Sequence, residues 1–233
     1  MGSSKNARRD RRKQPLPSNE MDIYDFKTRN QTQDNLIDTL NHKTVTLVTG
    51  PAGTGKTLIG LSYGMGLLNG RAVDQFIYVR SDIGMEGQRG RGHLPGEYLE
   101  KVMPLLYPVL DNLRYICPNP RNTLEYMLRV GKFEVVLLED IRGRSFNNSF
   151  ILCDEAQNMS PDQFKTVISR VGTKSTIMLC GDTSQADSAS FRINNGLSDA
   201  ITRLRGLYNV GVVSFTADDI IRNSALQNIL SRY

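Results

Sequence analysis

The sequence predicts an α/β protein in which a doubly wound parallel sheet carries helices on both faces. Two observations support this fold class. Short apolar runs alternate along the 233-residue chain with stretches of helical periodicity, and this alternation favours parallel strands. A glycine-rich loop also lies between the first predicted strand and the helix that follows it. A chain of this length can form one sizeable core, so we expect a single domain over residues 21–233 and a basic, disordered tail over residues 1–20.

Six apolar runs are predicted to be strands. Most of them are apolar throughout, which is typical of central strands covered on both faces. Two of the runs contain Cys153 and Cys180, which we expect to be buried free thiols because the spacing of the three cysteines matches no metal site. The predicted strands are residues 45–49, 75–79, 133–138, 149–153, 175–180 and 210–215.

Helical periodicity separates these runs. Ser160 followed by Pro161 indicates an N-cap and a proline at the first helical position. The glycine-rich residues 80–96 fit neither pattern, and connections of that length are commonly functional. The predicted helices are residues 34–40, 57–68, 97–113, 122–129, 161–170 and 218–233.

The loop after the first strand has the spacing G-x-x-x-x-G-K-[ST], which binds phosphate when a strand precedes it and a helix follows. Its glycines permit backbone angles that turn successive N–H groups towards anionic oxygens. We expect the lysine to contact the β- and γ-phosphates of a nucleoside triphosphate and the final threonine to provide a Mg²⁺ ligand. The loop consists of Gly50, Pro51, Ala52, Gly53, Thr54, Gly55, Lys56 and Thr57.

Carboxylates follow the fourth predicted strand, where a nucleotide-binding sheet places its ligand. Asp154 is predicted to hold the metal together with Thr57, and Glu155 to orient or deprotonate the attacking water. The next strand is followed by Asp182 and Gln185, which we expect to sense the γ-phosphate. Upstream of the loop, the side-chain amide of Gln33 is a candidate for recognition of adenine.

The charge of the chain is concentrated at its amino end. Residues 1–15 hold six basic side chains and one acidic one, which accounts for the whole formal net charge of +5. Such a tail is typical of segments that bind nucleic-acid phosphates, although a merely solubilising tail has the same composition. No apolar run approaches the length of a membrane span. We expect the protein to act in a reducing cytoplasm, because the cysteines are most simply free thiols.

Taken together, these motifs resemble those of PhoH-like ATPases, a family related in its core to superfamily 1 helicases. The likeness covers about residues 28–233. Two segments depart from the family pattern. Thr183-Ser184-Gln185 stands where family members often carry Thr-Gln or Leu-Thr-Gln, and Arg89 and Arg91 stand in a loop that is usually acidic. The matching segments are Gln33 and residues 50–57, 78–80, 94–96, 100–102, 142–147, 154–158, 181–185 and 215–222.

The resemblance implies a RecA-like P-loop core that hydrolyses ATP with Mg²⁺ and couples hydrolysis to RNA or single-stranded DNA. Lys56, Asp154, Glu155 and Gln185 would be its catalytic residues. The resemblance also implies a bacterial protein, or a phage protein that acts in the bacterial cytoplasm. No nuclease or RNA-binding module is recognisable in the sequence, so the nuclease activity of fused family members is not expected. Two other functions stay open, a nucleotide-switched binding module and a small-molecule kinase, for which Arg89 and Arg91 would form a lid.

The resemblance also implies a shared active site. Related helicases close ATP between two lobes of one chain, and the second lobe supplies an arginine to the γ-phosphate. The predicted strands of this chain suffice for one lobe only, so we expect a homo-oligomeric ring, most simply a hexamer, in which a neighbour supplies the arginine. Arg222 is the candidate, with Arg80 or Arg144 as alternatives, and an ordinary surface role for Arg222 remains open.

Overall fold

The computed structural model describes residues 22–80, 98–186, 191 and 195–221. In these ranges the strands form one parallel sheet with the order β3-β2-β4-β5-β1-β6. The strands are β1 (Val45–Thr49), β2 (Gln75–Arg80), β3 (Phe133–Leu137), β4 (Ser149–Asp154), β5 (Thr176–Gly181) and β6 (Val210–Ser214). The helices are α1 (Gln31–His42), α2 (Lys56–Asn69), α3 (Tyr98–Leu113), α4 (Pro120–Arg129), α5 (Pro161–Ile168) and α6 (Gly196–Leu204).

Two apolar cores cover the two faces of the sheet. Along β2, Phe76 and Tyr78 belong to the core beneath α1, α2, α3 and α4, whereas Ile77 and Val79 belong to the core beneath α5 and α6. This alternation follows from the period of two residues along a strand. Because both faces are buried, both sets of side chains must be apolar, which explains the continuous apolar runs. The predicted α/β fold class with a doubly wound parallel sheet is confirmed.

The strand order sets the position of the site. Strand β5 lies between β1 and β4, with Val48 opposite Cys180 and Cys153 opposite Leu179. Parallel strands end at the same edge of a sheet. The segments that follow β1, β4 and β5 therefore meet there, although the sequence separates them widely.

All predicted strand boundaries agree with the structure to within one residue. The helix boundaries differ by up to three residues, as at the start of α1, and two differences are larger. Helix α6 was not predicted; it begins after Asn195, whose side chain accepts a hydrogen bond from the Ser198 N–H. The predicted helix from residue 218 is wrong for the part that is described. There, Ala217–Asp219 is a single 3₁₀ turn, and Ile220 has extended angles.

The contact that ends this turn explains the difference. The N–H of Ile221 donates to the carbonyl of Gly53 at 3.1 Å instead of continuing a helical ladder. Residues 222–233, together with the predicted tail and most of the 80–96 loop, lie outside the described residues.

Cys117, Cys153 and Cys180 are buried free thiols, as predicted for the latter two. Among the described helices, none has both the length and the apolar character needed to cross a bilayer.

Glycines on opposite sides of α2 give a test of the packing. A Cβ added at Gly64 would lie 2.3 Å from a ring carbon of Phe150 and 2.4 Å from one of Phe76. We expect Gly64→Ala to lower the free energy of unfolding by about 1–3 kcal/mol, since overpacking forces the surroundings to shift. Urea unfolding monitored by circular dichroism measures the change.

Gly66 is the matched control on the same helix. It is exposed, and an added Cβ meets no atom of the described residues within 4 Å. Gly66→Ala should raise the free energy of unfolding by about 0.5–1 kcal/mol, because alanine has the higher helix propensity. Equal effects of the two substitutions would contradict the tight packing of Gly64.

Candidate nucleotide-binding and hydrolysis site

The loop between β1 and α2 has a backbone that only glycines adopt readily. Gly50, Gly53 and Gly55 have φ values of 146°, 86° and 88°. Gly50 also lies so close to Phe215 that an added Cβ would be 2.5 Å from the Cβ of that residue. The loop thus has the form expected of a phosphate-binding loop, and it leads into the amino end of α2, where backbone N–H groups favour anions.

Lys56 is the first residue of α2. Its Nζ donates to the carbonyls of Gly50 at 2.6 Å and Pro51 at 2.8 Å, so the ammonium group lies against the loop. Burial lowers the pKa of Lys56 from its ordinary value, and the nearby carboxylates of Asp182 and Asp154 oppose this shift. A cation in this position is desolvated beforehand and can interact strongly with a phosphate.

Asp154, at the end of β4, is bound to α2. The hydroxyl of Thr57 donates to it, with distances of 3.1 and 3.2 Å to the two carboxylate oxygens. Tyr78 Oη donates to Oδ2 at 3.3 Å, and Cys180 Sγ donates to Oδ1 at 3.3 Å. Burial and the Asp154 charge raise the pKa of both Tyr78 and Cys180 well above their ordinary values, so both remain protonated donors.

These oxygens fit a magnesium ion. Mg²⁺ takes one or two protein oxygens, with substrate phosphates and water completing the octahedron. The Thr57 hydroxyl and the Asp154 carboxylate are such a pair. A further carboxylate oxygen, Oδ2 of Asp182, is buried without a hydrogen-bond partner among the described residues. The metal pair Thr57 and Asp154 stays a prediction, which the chemistry of this donor set fits.

Glu155 follows in an unusual backbone conformation. Its φ of 55° and ψ of 37° are left-handed, a region that costs a residue other than glycine about 1–2 kcal/mol. The side chain is exposed, and Oε2 accepts a hydrogen bond of 2.6 Å from Gln157 Nε2. The left-handed residue turns the chain at the end of β4. The exposed carboxylate therefore lies at the same sheet edge as Lys56.

The segment after β5 forms a compact turn. Asp182 Oδ1 accepts hydrogen bonds from the N–H and the hydroxyl of Ser184, and the N–H of Gln185 donates to the carbonyl of Asp182. The hydroxyls of Thr183 and Thr49 are 3.3 Å apart. This turn brings Asp182 to the phosphate loop, while the side chain of Gln185 is exposed.

Gln33 is only 2% exposed and contacts the phosphate loop. Its Oε1 accepts from the N–H of Arg29 at 2.9 Å, and its Nε2 donates to the carbonyl of Thr54 at 3.0 Å. Both ends of the amide thus bind the protein, and the residue links the segment before α1 to the loop. Its role in adenine selectivity stays a prediction.

The candidate arginines are in different situations. Arg80 donates to the carbonyl of Leu105, whereas Arg144 forms a two-bond ion pair with Glu134, at 2.7 and 2.9 Å. Arg222 lies outside the described residues, as do Arg89 and Arg91.

The structure adds three residues to which the sequence assigned no role at the site. Tyr78 and Cys180 bind Asp154, and Gln157 binds Glu155. Tyr78 and Cys180 stand in strands, where the pattern predicts ordinary core side chains. The sequence contains one indication of this role, the tyrosine at position 78 in an otherwise apolar run. A buried tyrosine hydroxyl needs a hydrogen-bond partner.

Comparison with known proteins agrees with this geometry. The family described as PhoH-like protein matches residues 25–233. A PhoH-like protein of Synechocystis is 34% identical over 91% of this chain and 62% of its own length. Protein PhoH of Escherichia coli is 33% identical over 88% of this chain and 57% of its own. The chain therefore spans less than two thirds of the length of these relatives.

Among solved structures, the large terminase of a thermophilic bacteriophage superimposes with a TM-score of 0.50 at 13% sequence identity. The match covers 88% of this chain and 50% of the terminase. At this identity the likeness concerns the fold alone. It agrees with a RecA-like P-loop core.

Substitution of the loop lysine tests the site by nucleotide binding. Lys56→Met should abolish most of the rise in melting temperature on addition of ATP and Mg²⁺, because the methionine retains the bulk of the side chain but cannot bind phosphate. For the unmodified protein, ATP at 100 times its Kd should stabilise the fold by about 2.7 kcal/mol. Thermal unfolding with and without nucleotide measures both.

Lys165→Met is the control, since Lys165 is an exposed lysine on α5. It should retain the full nucleotide-dependent shift. A Lys56→Met protein with an unchanged shift would mean that ATP binds elsewhere.

Proposed function

The chain belongs to the PhoH-like protein family, and we propose that it is a Mg²⁺-dependent ATPase. The observation that carries this proposal is the hydrogen bond between Thr57 and Asp154 beside a buried lysine and an exposed glutamate. These groups cover the requirements of phosphoryl transfer to water: a phosphate cradle, a cation, metal ligands and a base.

Binding begins with the phosphate loop. The N–H groups of residues 50–57 and the amino end of α2 would hold the β- and γ-phosphates. Lys56 would exchange its contacts with the Gly50 and Pro51 carbonyls for phosphate oxygens. Gln33 donates to the Thr54 carbonyl and would therefore respond to a change in the loop. It would also favour adenine over guanine.

Thr57 and Asp154 would hold the metal. When bound, Mg²⁺ neutralises part of the charge on the β- and γ-phosphate oxygens. Tyr78 and Cys180 fix the orientation of the Asp154 carboxylate by donating to its two oxygens. Such outer partners of a metal ligand commonly affect metal affinity.

Glu155 would orient the attacking water and accept its proton. A carboxylate on a short turn at the sheet edge can reach a water that lies in line with the γ-phosphate. Asp182 and Gln185, on the neighbouring turn, would bind the γ-phosphate or the water.

A glutamine at position 155 separates binding from hydrolysis. Glu155→Gln should leave ATP affinity within about threefold of the unmodified protein but lower kcat by about 10²–10⁴-fold, because an amide cannot accept the proton. Phosphate release and equilibrium nucleotide binding measure the two quantities. Glu139→Gln, at an exposed residue after β3, is the control and should retain full turnover.

The outcome also decides between the candidate functions. An unmodified protein that binds ATP and releases no phosphate would be a nucleotide-switched binding module. Full turnover by Glu155→Gln would exclude Glu155 as the base. Transfer of the γ-phosphate to a small molecule rather than to water would indicate a kinase.

We also propose that hydrolysis is coupled to RNA or single-stranded DNA and takes place in a homo-oligomeric ring. The six basic residues of the tail support nucleic-acid binding through phosphates. The six strands of the described core correspond to one lobe, which supports a neighbour as the source of the arginine. An arginine of this kind contributes about 10³–10⁵-fold in rate. A hexamer is the expected size, and the bacterial cytoplasm the expected location.

Mixing two inactive variants tests the shared site. Arg222→Ala and Glu155→Gln should each be inactive alone, and their mixture should regain part of the activity, since some interfaces then combine an intact arginine with an intact glutamate. Phosphate release of the mixture and mass in solution with nucleotide measure this. Ile221, the residue before Arg222, binds the carbonyl of Gly53 in its own chain. If the protein is a monomer with ordinary turnover and mixing restores no activity, Arg222 acts within its own chain or has no role in hydrolysis.

A further inference from the structure

The side chain of Gln157 joins two ends of the site. It is 2% exposed and lies in the 3₁₀ turn Ala156–Asn158 after β4. Its Nε2 donates to Oε2 of Glu155 at 2.6 Å. Its Oε1 accepts from the backbone N–H of Asp182, after β5, at 3.1 Å. One amide thus contacts both the proposed base and the turn that carries Asp182.

The Asp182 N–H determines which way this amide points. A backbone N–H can only donate, so the amide oxygen must face it and the amide nitrogen must face Glu155. The reverse orientation would place an oxygen against the Glu155 carboxylate and an N–H against an N–H. The position of Asp182 therefore keeps Gln157 a donor to Glu155.

Both strand ends are shaped for this contact. A Cβ at Gly181 would lie 2.1 Å from Oε1 of Gln157, so a side chain there would expel the amide. On the other side, the left-handed conformation of Glu155 turns the chain so that residues 155 and 157 face each other. Strain of this kind persists where the surroundings hold it in place.

We propose that Gln157 is a positioning residue for hydrolysis: it holds the Glu155 carboxylate in a fixed direction and links that direction to the turn at Asp182. This inference rests on the proposed ATPase function. A displacement of the Asp182 turn by a bound γ-phosphate would move the acceptor end of the amide and, through it, Glu155.

The substitution Gln157→Glu isolates the donor. A carboxylate can still accept from the Asp182 N–H, but it places a second negative charge beside Glu155. Like charges repel, so the Glu155 carboxylate should turn away from its position against residue 157. We expect kcat to fall by about tenfold or more, because the carboxylate no longer lies where it can accept the proton of the attacking water. ATP affinity should change by less than about twofold, because the amide of Gln157 binds Glu155 and Asp182 rather than the phosphate loop.

Gln163→Glu is the matched control. Gln163 is the third residue of α5, where its Oε1 accepts from the N–H of Ser160 in a capping box, a role that glutamate also fills. It adds the same charge on α5, where the partner of the side chain is Ser160 rather than Glu155. Its kcat and its ATP affinity should match those of the unmodified protein.

Gln157→Met removes the donor without adding a charge, and it decides the question if Gln157→Glu does not fold. It should also lower kcat while ATP affinity changes by less than about twofold. Wild-type kcat in whichever variants fold and bind ATP would overturn the inference, while the ATPase assignment would stand. If the unmodified protein released no phosphate from ATP, the ATPase assignment would be wrong, and this inference would be wrong with it.

Discussion

The hydrogen bonds from the Thr57 hydroxyl to Asp154 connect the two parts of the chain on which the site depends. Thr57 lies in the first turn of α2, which follows β1, and Asp154 ends β4; strand β5 lies between β1 and β4. The contact is possible because the residue of β5 at that level is Cys180, whose small side chain fits beside the carboxylate and donates to it. A bulkier side chain at this point would push Asp154 away from Thr57.

The same contact requires a balance of buried charges. Asp154 is 7% exposed and Lys56 is 9% exposed. An isolated charge would be costly in this position, and each is favourable only because the other, together with hydroxyl and thiol donors, lies nearby. The lowered pKa of Lys56 shows that burial outweighs the attraction of the carboxylates. The site is therefore prepared for additional negative charge close to Lys56, which a triphosphate would supply.

Local patterns in the sequence predicted the fold and the loop of this site. Apolar runs indicate buried parallel strands, and the glycine spacing from Gly50 to Gly55 indicates a loop with left-handed angles. Contacts between neighbouring strands could not be predicted from such local patterns. That Cys180 lies beside Asp154, or that the N–H of Asp182 orients Gln157, follows from strand order and register, which hydrophobic periodicity does not encode. Helix α6 was missed for a related reason: its Asn195 cap is one of many asparagines in the chain, and only the contact with Ser198 distinguishes it.

The phosphate loop is contacted by segments that are remote from it in sequence. Gln33 binds the carbonyl of Thr54, the backbone of Phe215 closes on Gly50, and Ile221 binds the carbonyl of Gly53. Each contact is to the backbone, so each depends on the conformation of the loop rather than on its side chains. A change in the shape of this loop must alter these contacts together. The structure thereby couples the conformation of the loop both to the segment before α1 and to the segment after β6.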